Sequence, residues 1–118
     1  MRIVSGGTSS ELYGGRFTGV VRLEMLDEAP DASAPDVARV SFDDGACTFW
    51  HSHPGGQKLL LLDGRGRVGT ADGEVELAPG DYVDAPADER HYHGAAAGHD
   101  CTFLAITWGT TDWEDVAP

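Results

Sequence analysis

Basic side chains are scarce in this sequence. Lys and Arg total 8 against 20 Asp and Glu over 118 residues, a formal net charge of −12 at pH 7. That balance repels phosphate backbones and anionic lipid surfaces, so neither nucleic acid nor membrane is an expected partner. Cysteine is nearly absent. Cys47 and Cys101 lie far apart with no Cys-x-x-Cys spacing, which excludes a disulfide framework and a zinc ribbon; both are expected as inert, partly buried thiols. Long apolar runs are missing too, since nothing approaches the ~20 residues that cross a bilayer. The first seven residues, MRIVSGG, hold no apolar stretch of signal-peptide length, and the expected location is cytoplasmic. No segment sustains a 3.6-residue apolar period, so little helix is expected.

What the chain has instead is turn chemistry at short intervals. Asp44-Gly45, Pro54-Gly55-Gly56, Asp63-Gly64, Asp72-Gly73 and Pro79-Gly80 separate short segments rich in Val, Leu, Phe, Tyr and Thr. With hydrophobic residues at 41%, the chain is too apolar for disorder and reads as one all-β domain of hairpin-linked strands. Strands are expected over 17–26, 37–42, 46–53, 58–62, 65–70, 74–77, 82–85, 91–94 and 102–108, with a connector at 27–36; the tail at 109–118 carries Trp113 among acids and is expected over the barrel or a neighbour. Many short strands in one domain imply a sandwich or barrel, where closure protects the sheet edges. Leu59-Leu60-Leu61-Leu62 is apolar on both faces. It suits a strand covered on two sides, one of them by a partner subunit.

The histidines are paired. His51 and His53 sit at i and i+2, which places both imidazoles on one face of a strand, and His91 and His93 repeat the pattern. Gln57 follows the Pro54-Gly55-Gly56 turn, which can return its amide oxygen over the first pair. Three imidazoles with one oxygen donor suit a divalent transition ion that keeps open positions. Phe49 shares strand parity with His51 and is expected in an apolar cavity beside it. Trp50 and Tyr92 have the opposite parity and are expected to face away. His99, in a glycine-flanked loop, reads as a solvated surface histidine.

Gly45-x5-His51-x-His53-x3-Gln57-x6-Gly64 resembles the first motif of the cupins, with Gln where many members carry Glu. Gly80-x5-Pro86-x-Asp88-x2-His91-x3-Ala95 resembles the second, with Asp88 in place of Gly and Ala95 in place of Asn. The resemblance implies a jelly-roll barrel (a double-stranded β-helix) over about 37–108 in a single domain spanning 1–118. The stretches 17–22, 38–42, 51–57 and 91–95 are similar, more specifically, to small bacterial cupins that include manganese-dependent hydroxynitrile lyases. That likeness implies metal ligands at His51, His53, Gln57 and His91, with His93 as the active-site histidine beside the metal. It implies manganese first, with Fe, Zn, Ni and Co as alternatives. In the hydroxynitrile lyase members the last strand offers the cavity a further histidine and a glutamine; here Phe103 and Thr107 stand at those positions.

Three imidazoles and a neutral amide would leave the ion's charge uncompensated and strengthen it as a Lewis acid. His93, if it titrates near neutrality, is placed to carry a proton. The expected function is a metal-dependent lyase or isomerase acting on a small hydroxy or carbonyl compound. An Fe(II)-dependent dioxygenase and a non-catalytic small-molecule binder are the alternatives. A homodimer is expected, as small cupins commonly pair, and the strand at 17–26 could serve a shared sheet.

Overall fold

A computed structural model describes residues 1–14 and 16–118, and the side chains of all of these except 11–14. Eleven strands follow one another without a helix among the described residues: β1 (Thr8–Gly14), β2 (Phe17–Asp27), β3 (Pro35–Phe42), β4 (His51–Ser52), β5 (Gln57–Gly64), β6 (Gly66–Thr70), β7 (Gly73–Leu77), β8 (Tyr82–Ala85), β9 (Tyr92–Ala95), β10 (Cys101–Trp108) and β11 (Asp112–Trp113). They form a six-stranded sheet in the order β1-β2-β3-β10-β5-β8, a three-stranded sheet β7-β6-β9 and a two-stranded pair β11-β4. All pairings are antiparallel. The chain is thus the all-β barrel that the turn spacing implies.

Period-two alternation sorts the side chains of the large sheet. On β10, Cys101, Phe103 and Ala105 are buried while the residues between them are only partly so, and β5 repeats this with Leu59 and Leu61. The register stacks these inward residues in rows across neighbouring strands. Leu61, Phe103, Val40 and Leu23 form one row, and Leu59, Ala105, Ala38 and Met25 the next. The first row is bulky and closes the barrel floor. The second has two alanines at its centre, so it fills less of the interior. The third row, Gln57, Thr107 and Asp36, is polar and lines the cavity, with Gln57 buried and Thr107 and Asp36 partly exposed toward the mouth. A closed apolar floor, a hollow middle and a polar mouth follow from side-chain volume along three strands.

Several elements differ from the sequence expectation. β1 is an added edge strand, paired with β2; its Thr-Ser-Ser-Glu run has no apolar alternation to mark it. The stretch 46–53 is a strand only at His51–Ser52, with isolated bridges from Cys47 to Gly94 and from Thr48 to Phe17. Leu59 and Leu61 are buried, but Leu60 and Leu62 point outward, and Leu62 is 42% exposed, so within one chain β5 is covered on a single face. The tail, by contrast, takes one of its two expected placements and folds back onto the barrel: β11 pairs with β4, Trp113 opposite His51. Gly94 marks a close approach, since a Cβ there would lie 2.4 Å from the Ala46 carbonyl oxygen. No helix of the described residues is long and apolar enough to cross a membrane.

Candidate metal centre

Four imidazoles converge inside the barrel. The His51 ring centroid lies 4.9 Å from that of His53, 4.4 Å from His91 and 5.5 Å from His93. β4 carries His51, and its bridge to His91 joins the two pairs across the barrel. All four rings are buried, as is Gln57. Gly56, at φ +86°, turns the chain between His53 and Gln57 and brings β5 back alongside. A Cβ at that position would also meet the Ala85 carbonyl at 2.9 Å, so the turn has room for glycine alone.

Backbone carbonyls set the tautomers. Nδ1 of His51 donates to the Phe49 carbonyl at 2.8 Å, and Nδ1 of His91 donates to the Glu89 carbonyl at 2.9 Å. Each neutral ring therefore presents a lone pair at Nε2. Such outer hydrogen bonds orient imidazoles that bind metals. His53 is fixed by Thr111, whose Oγ1 lies 3.1 Å from its Nδ1. Buried Nε2 of His53 and Nδ1 of His93 have no hydrogen-bond partner among the described residues. Gln57 Oε1 sits 3.0 Å from His91 Nε2. With both atoms acting as acceptors, that contact is repulsive unless a cation draws on both.

Electrostatics keep the cluster uncharged. Burial pulls His51 down to about 3 and His53 to about 4, in each case helped by the neighbouring His91. Burial also lowers His91. His93 is held well below its ordinary value by burial, with the other three imidazoles adding like-charge repulsion. Neutral rings with unpaired nitrogens are the form a metal needs. Ligating atoms of His51, His91 and His93 lie within 4.8 Å of one another, so these three could hold a metal ion. The orphaned Nε2 of His53 and the facing acceptors Gln57 Oε1 and His91 Nε2 also fit a cation, so two overlapping donor sets, one with His93 and one with His53 and Gln57, converge on the same point.

Beside the cluster lies a cavity of about 160 Å³, lined by His51, His53, Gln57 and His93 on one side. Its other walls are mainly apolar, among them Leu23, Met25, Ala38, Val40, Phe42 and Trp113. The volume is close to the ~150 Å³ of an engineered apolar cavity that takes up benzene, so one small ring or a branched chain fits.

The comparisons with known proteins agree with this architecture. The Cupin_2 family model, a cupin domain, matches residues 38–107. The chain is a cupin. It is 45% identical over 91 residues to an (R)-mandelonitrile lyase of Granulicella tundricola, covering 76% of this chain and 70% of that one. A cupin-like protein of Thermotoga maritima shares 32% identity at a TM-score of 0.85, covering 98% of this chain and 90% of its own. A polyketide cyclase of Streptomyces resistomycificus has the same fold at a TM-score of 0.73 and 18% identity, over 98% of this chain and 88% of its own.

Among cupin positions named from sequence, His51, His53, Gln57, His91 and His93 come together in one cluster. Thr107 lines the cavity and accepts a hydrogen bond from Gln57 Nε2 at 2.9 Å. Phe49 is placed differently. It is half-buried and lies outside the cavity lining, where Thr48 appears instead. The chain is not a regular strand between Thr48 and His51, so the alternation that put Phe49 inward does not run through. Phe103 is fully buried behind His93, ring centroids 5.4 Å apart; it supports that histidine from the floor and is not part of the lining. Near-neutral titration of His93 is also corrected, because full burial removes the hydration its charged form needs.

Trp50 and Tyr92 pack edge-to-face on each other at 4.8 Å, outside the cavity. His99 is exposed, and both cysteines are buried free thiols, with Cys101 pushed up to about 12 by burial. The sequence lays Trp113 over the barrel or a neighbour but gives it no place at the site. Its ring lies 4.7 Å from His51 and lines the cavity, and only the β11-β4 pairing brings it there.

Proposed function

We propose that this cupin is a metal-dependent lyase that cleaves a small cyanohydrin-like hydroxy compound to a carbonyl compound. The observation that carries the reading is the cluster of uncharged buried imidazoles, two with orphaned nitrogens, opening onto a small apolar cavity. The likeness to the mandelonitrile lyase supports the reaction class. In this reading His51, His53, Gln57 and His91 hold one divalent ion, manganese before Fe, Zn, Ni or Co, and His93 stands beside it.

A bound divalent ion supplies Lewis acidity toward the substrate oxygen. The chain's own side chains do the rest. Leu23, Met25, Ala38, Val40 and Phe42 exclude water and hold the carbon skeleton, which strengthens each polar interaction inside. His93, neutral and with Nδ1 unpaired, accepts the hydroxyl proton. As that proton leaves, the carbon–cyanide bond breaks and the carbonyl forms; the departing cyanide takes the proton back from His93, leaves as hydrogen cyanide and returns the buried imidazole to its neutral form. Edge contacts from Phe42 at 5.6 Å and Phe103 at 5.4 Å fix the His93 ring plane for this transfer. Thr107, Gln57 and Asp36 form the polar mouth through which a hydroxy compound enters.

Mandelonitrile cleavage, followed by benzaldehyde release, tests the reading with protein stripped by chelation and then reloaded with manganese. The expected result is turnover that appears on loading and disappears on chelation. Absence of turnover with every divalent ion named above, across aromatic and aliphatic cyanohydrins, would remove the lyase assignment. Oxygen consumption with diketones in the iron-loaded protein would replace it by a dioxygenase.

A further inference from the structure

The inward row of β3 runs Phe42, Val40, Ala38 and then Asp36, so the side of the barrel that carries the core ends in a carboxylate. Asp36 lies opposite Thr107 in the β3-β10 register, and Thr107 lies opposite Gln57. Among the described residues it is the sole acidic one lining the cavity. Its Oδ1 accepts the Ala29 N–H at 2.7 Å, which ties the 27–36 connector to the barrel mouth. Among the described residues no Lys or Arg forms an ion pair with it.

A surface hollow adjoins the cavity and shares Asp36 and Thr111 with it. The hollow is lined by Ala29, Asp31, Ala32, Gly109 and Thr110 besides. Among the described residues, two carboxylates and no Lys or Arg line the cavity and the hollow, on a chain that already carries −12; Arg16 stands apart from both linings, over the Trp113 ring at 5.4 Å. A cluster intended for an anion would place Arg or Lys here.

We propose that Asp36 is a specificity-determining residue: its carboxylate at the shared rim selects uncharged ligands and turns away carboxylates that would otherwise be drawn to a cation held by the histidines. The proposal rests on the reading that this cavity is the substrate site and adds the charge class of the ligand. Asp36 needs no part in bond breaking; it acts on what enters.

The test uses the full chain loaded with manganese and two probes of similar size, benzyl alcohol and benzoate. Dissociation constants come from broadening of the probes' ring-proton signals by the bound ion. Asp36→Asn keeps an oxygen acceptor for the Ala29 N–H and removes only the charge. The variant is expected to bind benzoate about 5-fold more tightly, from Coulomb repulsion at intermediate dielectric, with benzyl alcohol unchanged. That gain should shrink between about 20 mM and about 500 mM salt as screening grows, a dependence that a purely structural role would not produce. Asp31→Asn should shift benzoate in the same direction by less. Unchanged benzoate affinity, or an equal shift for both probes, would overturn the filter while leaving the cavity assignment intact. Failure of both probes to bind either protein would overturn the cavity assignment and the filter with it.

Discussion

Gln57 and Thr107 are joined across β5 and β10 by a 2.9 Å hydrogen bond from the amide Nε2 to the threonine Oγ1. That bond decides which end of the amide meets the imidazoles, since with Nε2 engaged the oxygen is left facing His91. A shorter residue than glutamine at position 107 thus has a positive role in orienting the donor set. Thr107→Val keeps the shape and removes the acceptor, so the amide loses its anchor. Manganese affinity is expected to fall about 5-fold, the equivalent of one hydrogen bond of ~1 kcal/mol, and Thr107→Ser should restore it. Equal affinity in all three proteins, read by manganese electron paramagnetic resonance, would show that the threonine does not orient Gln57.

The roles of His51 and His93 separate by metal content. His51→Ala should lose stoichiometric metal, because its tautomer is set for ligation by the Phe49 carbonyl. His93→Ala should keep the metal and lose about 100-fold or more in turnover, the usual worth of a proton-transferring group. Elemental analysis beside the cleavage assay reads both. Metal loss in His93→Ala would move that histidine into the ligand set, as the spacing of His51, His91 and His93 also permits.

Proton binding links the cluster to stability. His51 and His53 titrate near 3 and 4 in the folded chain against 6.5 when exposed. Between those values the unfolded chain holds more protons than the folded one, so stability is fully present above about 6.5 and is lost as pH falls below it. Each such histidine contributes at most about 1.4 kcal/mol per pH unit in that window. The metal-free protein should therefore melt lower at pH 5 than at pH 7, and manganese should widen the gap, because binding also requires neutral rings. Identical melting temperatures at the two pH values would contradict the burial of the cluster.

Asp88 occupies a position where the cupin motif has glycine, and its φ of +65° explains the preference. A left-handed conformation costs a non-glycine residue about 1–2 kcal/mol, somewhat less for Asp, and the residue is held there by its N–H, which donates to the His53 carbonyl at 2.8 Å. Asp88→Gly relieves the backbone while keeping that bond, and should stabilise the protein by up to about 1 kcal/mol. Destabilisation in urea unfolding would mean the carboxylate has a favourable contact that outweighs the strain.

Much of this was legible in the sequence, for identifiable reasons. Gly45, Gly64 and Gly80 stand at the motif offsets and all have positive φ, so turn chemistry alone located the strand ends. The i, i+2 spacing put His51 with His53 and His91 with His93, because parity survives wherever the local chain is extended. Strand parity does not place Phe49, because the chain leaves regular strand geometry before β4. β1 has no apolar alternation to mark it as a strand. Asp36 and Trp113 gained meaning only from register and from the return of the tail, since contacts between residues so far apart in sequence leave no local pattern.

Anomalous diffraction from crystals grown with manganese examines the convergence of donors itself. A single strong peak should lie within bonding reach of His51, His53, Gln57 and His91, with His93 adjacent. Imidazoles splayed apart, with no peak between them in saturating manganese, would contradict it.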